Sequence, residues 1–270
     1  MNEIAKNELD TSTDVKKVID FALEAGAVLL KNGAEIFRVE ETIERICHHF
    51  KVDNMHVFVI SHGIFISADN EKNETVSKVL HIPLSGANLE IVAEVNDLSR
   101  DISAGLIGID DAYERLNKIE QIPPTSSKVQ IVCAGIASAC FGYMLNAGIP
   151  ECIFSLFIGA LVYAWVLAAS KHNVSKIIVN ILGGVIITST AILATSIVNI
   201  PMKIEGMIIG SIMPLIPGVG FVNAIRDIAD SDFLSGTVRM IDALLVFVYI
   251  AIGVGVVLGA YNNIVGGLVL

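Results

Sequence analysis

Residues 129–270 are almost free of charge: they hold five Lys/Arg and six Asp/Glu, against 13 and 22 in residues 1–128. The uncharged stretches run 129–150, 152–170, 177–202, 206–225 and 243–270. Each is near or above the roughly 20 residues that a helix needs to cross a bilayer. None shows the polar face that a helix of a soluble core turns to water. The pattern predicts a bundle of five transmembrane helices, with spans about 129–149, 151–170, 177–199, 205–225 and 241–262. The first half carries a net charge of about −9 and the second about −1. So acidic a first half excludes a basic nucleic-acid-binding surface. The opening MNEIAKNELDTSTD has no apolar run, so no cleavable signal peptide is expected.

The first half reads as α+β. Residues 14–31 have apolar positions at helical spacing, with Thr13 or Asp14 as an N-cap. Asn32-Gly33 breaks that helix, and a second follows at about 34–50. MHVFVI and GIFISA read as two strands joined at Ser61–Gly63, with a third over 75–83. Two further helices follow, the first closed by Gly105. QIPPTSS then extends the chain. The expected domains are a cytoplasmic α+β domain over 1–120, a linker over 121–128 and a membrane domain over 129–270. Lys171 and Lys176 mark one short loop, Arg226 and Arg239 another, while the alternate loops carry at most Lys203. This alternation places the N-terminal domain inside and the C-terminus outside a cell membrane.

The fourth span contains PLIPGVGFVNAIRD. Pro214 and Pro217 offer no N–H to the preceding turn, and Gly218 and Gly220 permit backbone geometry that other residues resist. At membrane depth such a break is tolerated only within protein or beside a watery cavity. A discontinuous helix is therefore expected, resuming near Gly218, its positive end suited to an anion. Asn223, Arg226 and Asp227 follow at i, i+3 and i+4, on one face. Arg226 at the bilayer centre would cost on the order of 3 kcal/mol or more, which puts it near the inner boundary or in a polar pocket. Arg239 and Asp242 are again i, i+3, entering the fifth span. Arg is well shaped for two-point grip of a carboxylate.

PLIPGVGFVNAIRD followed by DFLSGTVRMIDA resembles the signature of the threonine/serine exporter family, PLxPGxxxxNAIRD and then GDxxSGxxRxxEA. KNGAEIFRVEETIERI and VFVISHGIFIS are similar to that family's cytoplasmic domain, so the resemblance covers nearly the whole chain. Ser231 stands where the pattern has Gly, and Asp242 where it has Glu. The resemblance implies export of small amino acids or related carboxylates. Full-length members carry a second block of about five spans. This chain resembles the split form, in which a second small membrane subunit supplies that block, and a two-subunit dicarboxylate (succinate) exporter is the alternative. The candidate substrate-binding residues are Asn223, Arg226, Asp227, Arg239 and Asp242. Pro214, Pro217, Gly218, Gly220, Ser235 and Gly236 are the candidate break and gate. Asp227 and Asp242 are also candidate protonation sites.

In the first half, Glu35, Arg38 and Glu40 are candidates for a sensing or gating contact, although a solvated, salt-bridged helix face has the same spacing. His56 and His62 have no third ligand at metal spacing, and the four cysteines show no zinc pattern. Ser61, His62 and Asp69 offer a nucleophile's residue types on a single hairpin, where a triad rarely converges. No phosphate loop or dinucleotide fingerprint is present. No catalytic residue, cofactor or metal is expected. The expected partners are a small-molecule substrate, membrane lipid, the second subunit and further copies of the chain. The competing readings are a membrane-anchored enzyme with its chemistry in residues 1–120, and a regulatory or scaffolding subunit.

Overall fold

A computed structural model describes residues 15–52, 54–69, 75–83, 86–198 and 201–265. The proposed N-cap at Thr13 or Asp14 lies outside them. The chain forms two compact units, Met1–Pro124 with Val219–Met240, and Thr125–Gly218 with Ile241–Leu270. The first also includes Val219–Met240, a stretch within the expected membrane domain of which residues 219–225 fall in the expected fourth span and 226–239 in an inner loop.

The first unit contains α1 (Val15–Lys31), α2 (Ile36–His49), β1 (His56–Ile60), β2 (Gly63–Asp69), β3 (Thr75–His81), α3 (Leu89–Ser103) and α4 (Ile109–Glu120). Val18, Ala22, Ala25 and Leu29 recur on α1 at helical spacing and are buried. Val39, Ile43 and Ile46 do the same on α2. The strands form an antiparallel meander in the order β1-β2-β3. Its inner face sends Val59, Ile64 and Ile66 into the core shared with α1 and α2. Alternation leaves Phe58, Phe65 and Val79, paired in register across the sheet, on the outer face. Asn88 caps α3 by accepting from the N–H groups of Glu90 and Ile91. Gly105 follows its last turn with φ +70°.

Asn32-Gly33 ends α1 as the sequence suggests. Gly33 has φ +83°, and its N–H donates to Leu30 O while that of Ala34 donates to Leu29 O. The second helix starts two residues later than expected. Glu35 stands before α2 as an extended N-cap residue, φ −68° and ψ 145°.

The second unit holds α5 (Ser127–Met144), α6 (Ile149–Lys171), α7 (Lys176–Ile197), α8 (Ile204–Ile212) and the apolar length of α10 (Phe233–Val265). Among the described residues three helices are long and apolar enough to cross a membrane: α6, α7 and Phe233–Ile264 of α10. The pair Ile204–Leu215 and Gly218–Ala229, bent at its break, makes a fourth if counted as one span. The 18-residue α5, with Lys128 and Gln130 in its first turn, is not among them. Small residues set the close approaches. A Cβ on Gly135 would lie 2.7 Å from Leu156 O, and one on Gly184 2.6 Å from Ile250 O. These glycines pack the chain against itself.

The break has two parts. Pro214 sits in a 3-10 turn, Met213–Leu215, that tightens the end of α8. Pro217 then forces Ile216 into extended backbone, ψ 128°. The helix resumes as α9 (Gly218–Ala229). Each proline has its own task, one narrowing the turn and the other stopping it. Gly218 and Gly220 do not serve as expected: neither has a left-handed φ, and an added Cβ would meet nothing within 4 Å. The prolines alone account for the break.

Gly33 is different, because a side chain there is strained by φ and would bring Cβ to 3.0 Å from Ala87 Cβ. Gly33→Ala is expected to lower stability by about 1–2 kcal/mol, whereas Gly220→Ala should leave it within about 0.5 kcal/mol of the parent. Thermal unfolding of the two purified variants against the parent checks this.

Candidate functional site

Four of the five predicted substrate residues converge on one short segment, the link Gly33–Ile36 between α1 and α2. Asn223 Nδ2 donates to Gly33 O at 2.8 Å. Arg239 donates through one terminal nitrogen to Ala34 O at 3.2 Å and through the other to Asp227 Oδ2 at 2.9 Å. Asp227 Oδ1 accepts the N–H of Ile36 at 3.4 Å. Arg226 forms an ion pair with Glu35, whose second oxygen takes the Nε of Arg38. The i, i+3, i+4 face of α9 is thus real, and its partners are backbone and carboxylate from the link before α2. The fifth residue, Asp242, pairs instead with Lys176 of α7 at 2.7 Å, within the second unit.

Burial sorts the two arginines. The side chains of Arg239 and Asp227 are 7% and 1% exposed. Such a pair has lost most of its hydration, and each member needs further hydrogen bonds to offset that loss. Ala34 O and the Ile36 N–H supply them. Arg226 is 47% exposed, although the Glu35 carboxylate it holds is only 12% exposed. This second pair stands at a solvent boundary.

The start of α10 is fixed by its own cap. Asp232 Oδ1 accepts the Ser235 N–H at 3.1 Å, and Ser61 Oγ donates to Ser235 O at 3.2 Å. A Cβ on Gly236 would lie 2.6 Å from Ile228 Cγ1 and 3.0 Å from Ala224 O, so α9 and α10 cross where only glycine fits. Ser235 Oγ is buried without a partner among the described residues.

Beside this cluster lies a cleft of about 320 Å³ whose polar lining is acidic: Glu40, Asp227, Asp230 and Asp232, with Ser231. Phe37, Phe58 and Val59 form apolar walls. Burial pushes the Glu40 carboxyl above its ordinary value. The Val59 N–H, 2.9 Å away, opposes the shift, while the negative charges of Glu44 and Asp232 add to it. Asp230 and Asp232 were not singled out from sequence, although the DSD run before FLSG carries a visible N-cap signal.

The features that suggested enzymatic chemistry stay apart. Ser61 is committed to Ser235 O, and Asp69 accepts from Thr75 Oγ1 at 2.9 Å at the far end of β2. Six strand residues, Gly63–Ala68, lie between the two and set them roughly 20 Å apart. Burial pushes the Cys47 thiol up to about 12, which suits a core residue and not a nucleophile. Among the described residues no group of three His, Cys, Asp or Glu is placed to hold a metal ion.

Two outcomes test these assignments. Arg239→Ala strands the buried Asp227 carboxylate and should destabilise the chain by about 3–5 kcal/mol, with Asp227→Asn/Arg239→Met recovering part of the loss; chemical denaturation of the three proteins measures it. Glu40 binds its proton more tightly in the fold than in the unfolded chain. Its contribution is therefore most favourable at pH below its unfolded value and declines as pH rises through the window above it. Glu40→Gln should flatten the fall in melting temperature across that window.

The model of the family described as "Putative threonine/serine exporter" matches residues 20–261. The curated relatives include the "Probable succinate transporter subunit YjjP" of Klebsiella aerogenes, 21% identical over 90% of this chain and 93% of that protein. The protein of the same description from Escherichia coli is 21% identical over 88% of this chain and 93% of its own length. "Pheromone-regulated membrane protein 10" of Yarrowia lipolytica is 21% identical over 89% of this chain, which spans only 20% of that protein. No solved structure matches.

Proposed function

The chain belongs to the threonine/serine exporter family, and from that premise we propose that it is one subunit of a secondary exporter for small amino acids such as threonine and serine. The observation that carries the reading is the Glu35 carboxylate gripped by Arg226 and Arg38. A carboxylate already sits where a substrate carboxylate would bind. Glu35 is then an internal ligand, exchanged for substrate at Arg226, while Asn223 adds a second polar contact. The acidic cleft beside it suits an ammonium group, since clustered carboxylates favour a cation. A zwitterionic amino acid presents both charges.

A second reading has its own support. The two transporter relatives that this chain spans almost fully are named as succinate transporter subunits. A dicarboxylate would also be held by Arg226 but would meet repulsion in the cleft. The same names favour a partner subunit in the membrane. For topology we propose α5 as the fifth span, joining the three long helices and the bent pair, with the N-terminal domain in the cytoplasm and the C-terminus outside.

The test is efflux of labelled threonine, serine and succinate from cells expressing the chain with its neighbouring small membrane subunit. Arg226→Ala should reduce export at least tenfold with the protein still in the membrane. Glu35→Gln, a weaker competitor for Arg226, should raise export at low internal substrate. Parent-like export of every substrate by Arg226→Ala would remove the site assignment. Export of succinate without threonine or serine would select the second reading.

A further inference from the structure

The meander of the first unit has two edge strands, β1 and β3, and they are finished differently. Val59 of β1 turns its backbone away from β2, and its N–H is taken by Glu40 Oε1 of α2 at 2.9 Å. On the other side, the Ile82 N–H donates to His62 O at 2.8 Å just past the end of β3. Antiparallel alternation from that pair turns the backbone of Leu80, Lys78 and Val76 toward β2. Thr75, Ser77, Val79 and His81 therefore aim their N–H and C=O groups outward. Among the described residues no other strand or loop backbone pairs with them.

An open edge is a template for another strand, and proteins blunt it with proline, bulges or outward charge. Thr75–His81 holds no proline, and its register with β2 runs unbroken from end to end. The one lysine, Lys78, points to the inner face and is paired with Asp20 of α1. The outward residues also carry the side chains of the sheet's outer face. There Phe58 and Phe65, with ring centroids 6.1 Å apart, continue into Val79, which is 68% exposed. The apolar row thus runs across the sheet and stops at the open edge.

We propose that two copies of the chain pair through β3, antiparallel about a two-fold axis at Val79, and join their meanders into one sheet. The edge is self-complementary in that register, as a two-fold interface must be. Val79 and its copy exchange N–H···O bonds, and Ser77 and His81 do so on either side. The two apolar rows then meet at Val79 and become one. Centring the pair on Lys78 instead would set two ammonium groups directly opposite, which is unfavourable. Centring it on Ser77 would set Val79 against Thr75 and leave the rows apart. The pairing does not depend on the exporter reading.

Cysteine crosslinking of the purified full-length chain in detergent tests the register, with a mild copper oxidant and the parent as background for its own cysteines. Val79→Cys should give a disulfide-linked dimer well above that background, whereas Ser77→Cys, whose copy lies four residues off register, should not. Val79→Lys, at an exposed position that leaves the intrachain ladder intact, should raise the dissociation constant of the dimer at least about tenfold in sedimentation equilibrium. A parent that stays monomeric would assign the edge to another polypeptide and overturn the proposal. Crosslinking through Ser77→Cys in preference to Val79→Cys, or parent-like association of Val79→Lys, would overturn it as well.

Discussion

The pair between Arg239 and Asp227 organises the cluster that unites α9, the start of α10 and the link before α2. Burying two charges costs several kcal/mol per ion, and mutual attraction offsets this only where the remaining hydrogen-bonding capacity is also used. Here it is used on neighbouring backbone groups, Ala34 O and the Ile36 N–H. The pair therefore does more than neutralise itself. It sets the backbone on both sides of Glu35, and so decides where that carboxylate points. Asn223 on Gly33 O and Ser61 on Ser235 O extend the same clasp at either end.

Much of this was legible in the chain. Asn223, Arg226 and Asp227 share a face because helical geometry puts i, i+3 and i+4 together, and two prolines in an apolar run announce a break. The partners were not legible. Glu35 lies 191 residues from Arg226, and no periodicity connects them. Val219–Met240 follows the break in an apolar region, and its polar face meets the α1–α2 link, so that it packs in the first unit. Glu35 was read as helical because an amphipathic pattern does not mark its own first residue, and a start two residues later turns a helix-face charge into an N-cap residue. Asp242 was grouped with Arg239 by spacing alone, but at i, i+3 it takes Lys176 of α7.

The glycines make the same point from the other direction. Sequence proximity to the prolines drew attention to Gly218 and Gly220, which have open space and ordinary backbone. The glycines that matter sterically are Gly33, at a left-handed turn, and Gly236, where α9 and α10 touch. Both needs are tertiary or conformational, and neither is written in the residues immediately around them.

The two arginines of the cluster cannot be equivalent in a transport cycle. If Arg239 were to leave Asp227 for a substrate, a carboxylate that is 1% exposed would lose its only cationic partner among the described residues. Any substrate bond gained there would be set against the cost of that stranded charge. Arg226 is not bound in this way. It is half exposed, and its partner Glu35 retains Arg38 when Arg226 departs. Exchange of one carboxylate for another at Arg226 conserves charge on both sides of the exchange and leaves the buried pair intact. On the proposed reading Arg239 and Asp227 would form the fixed frame, and Arg226 with Glu35 would be the contact that a small carboxylate opens.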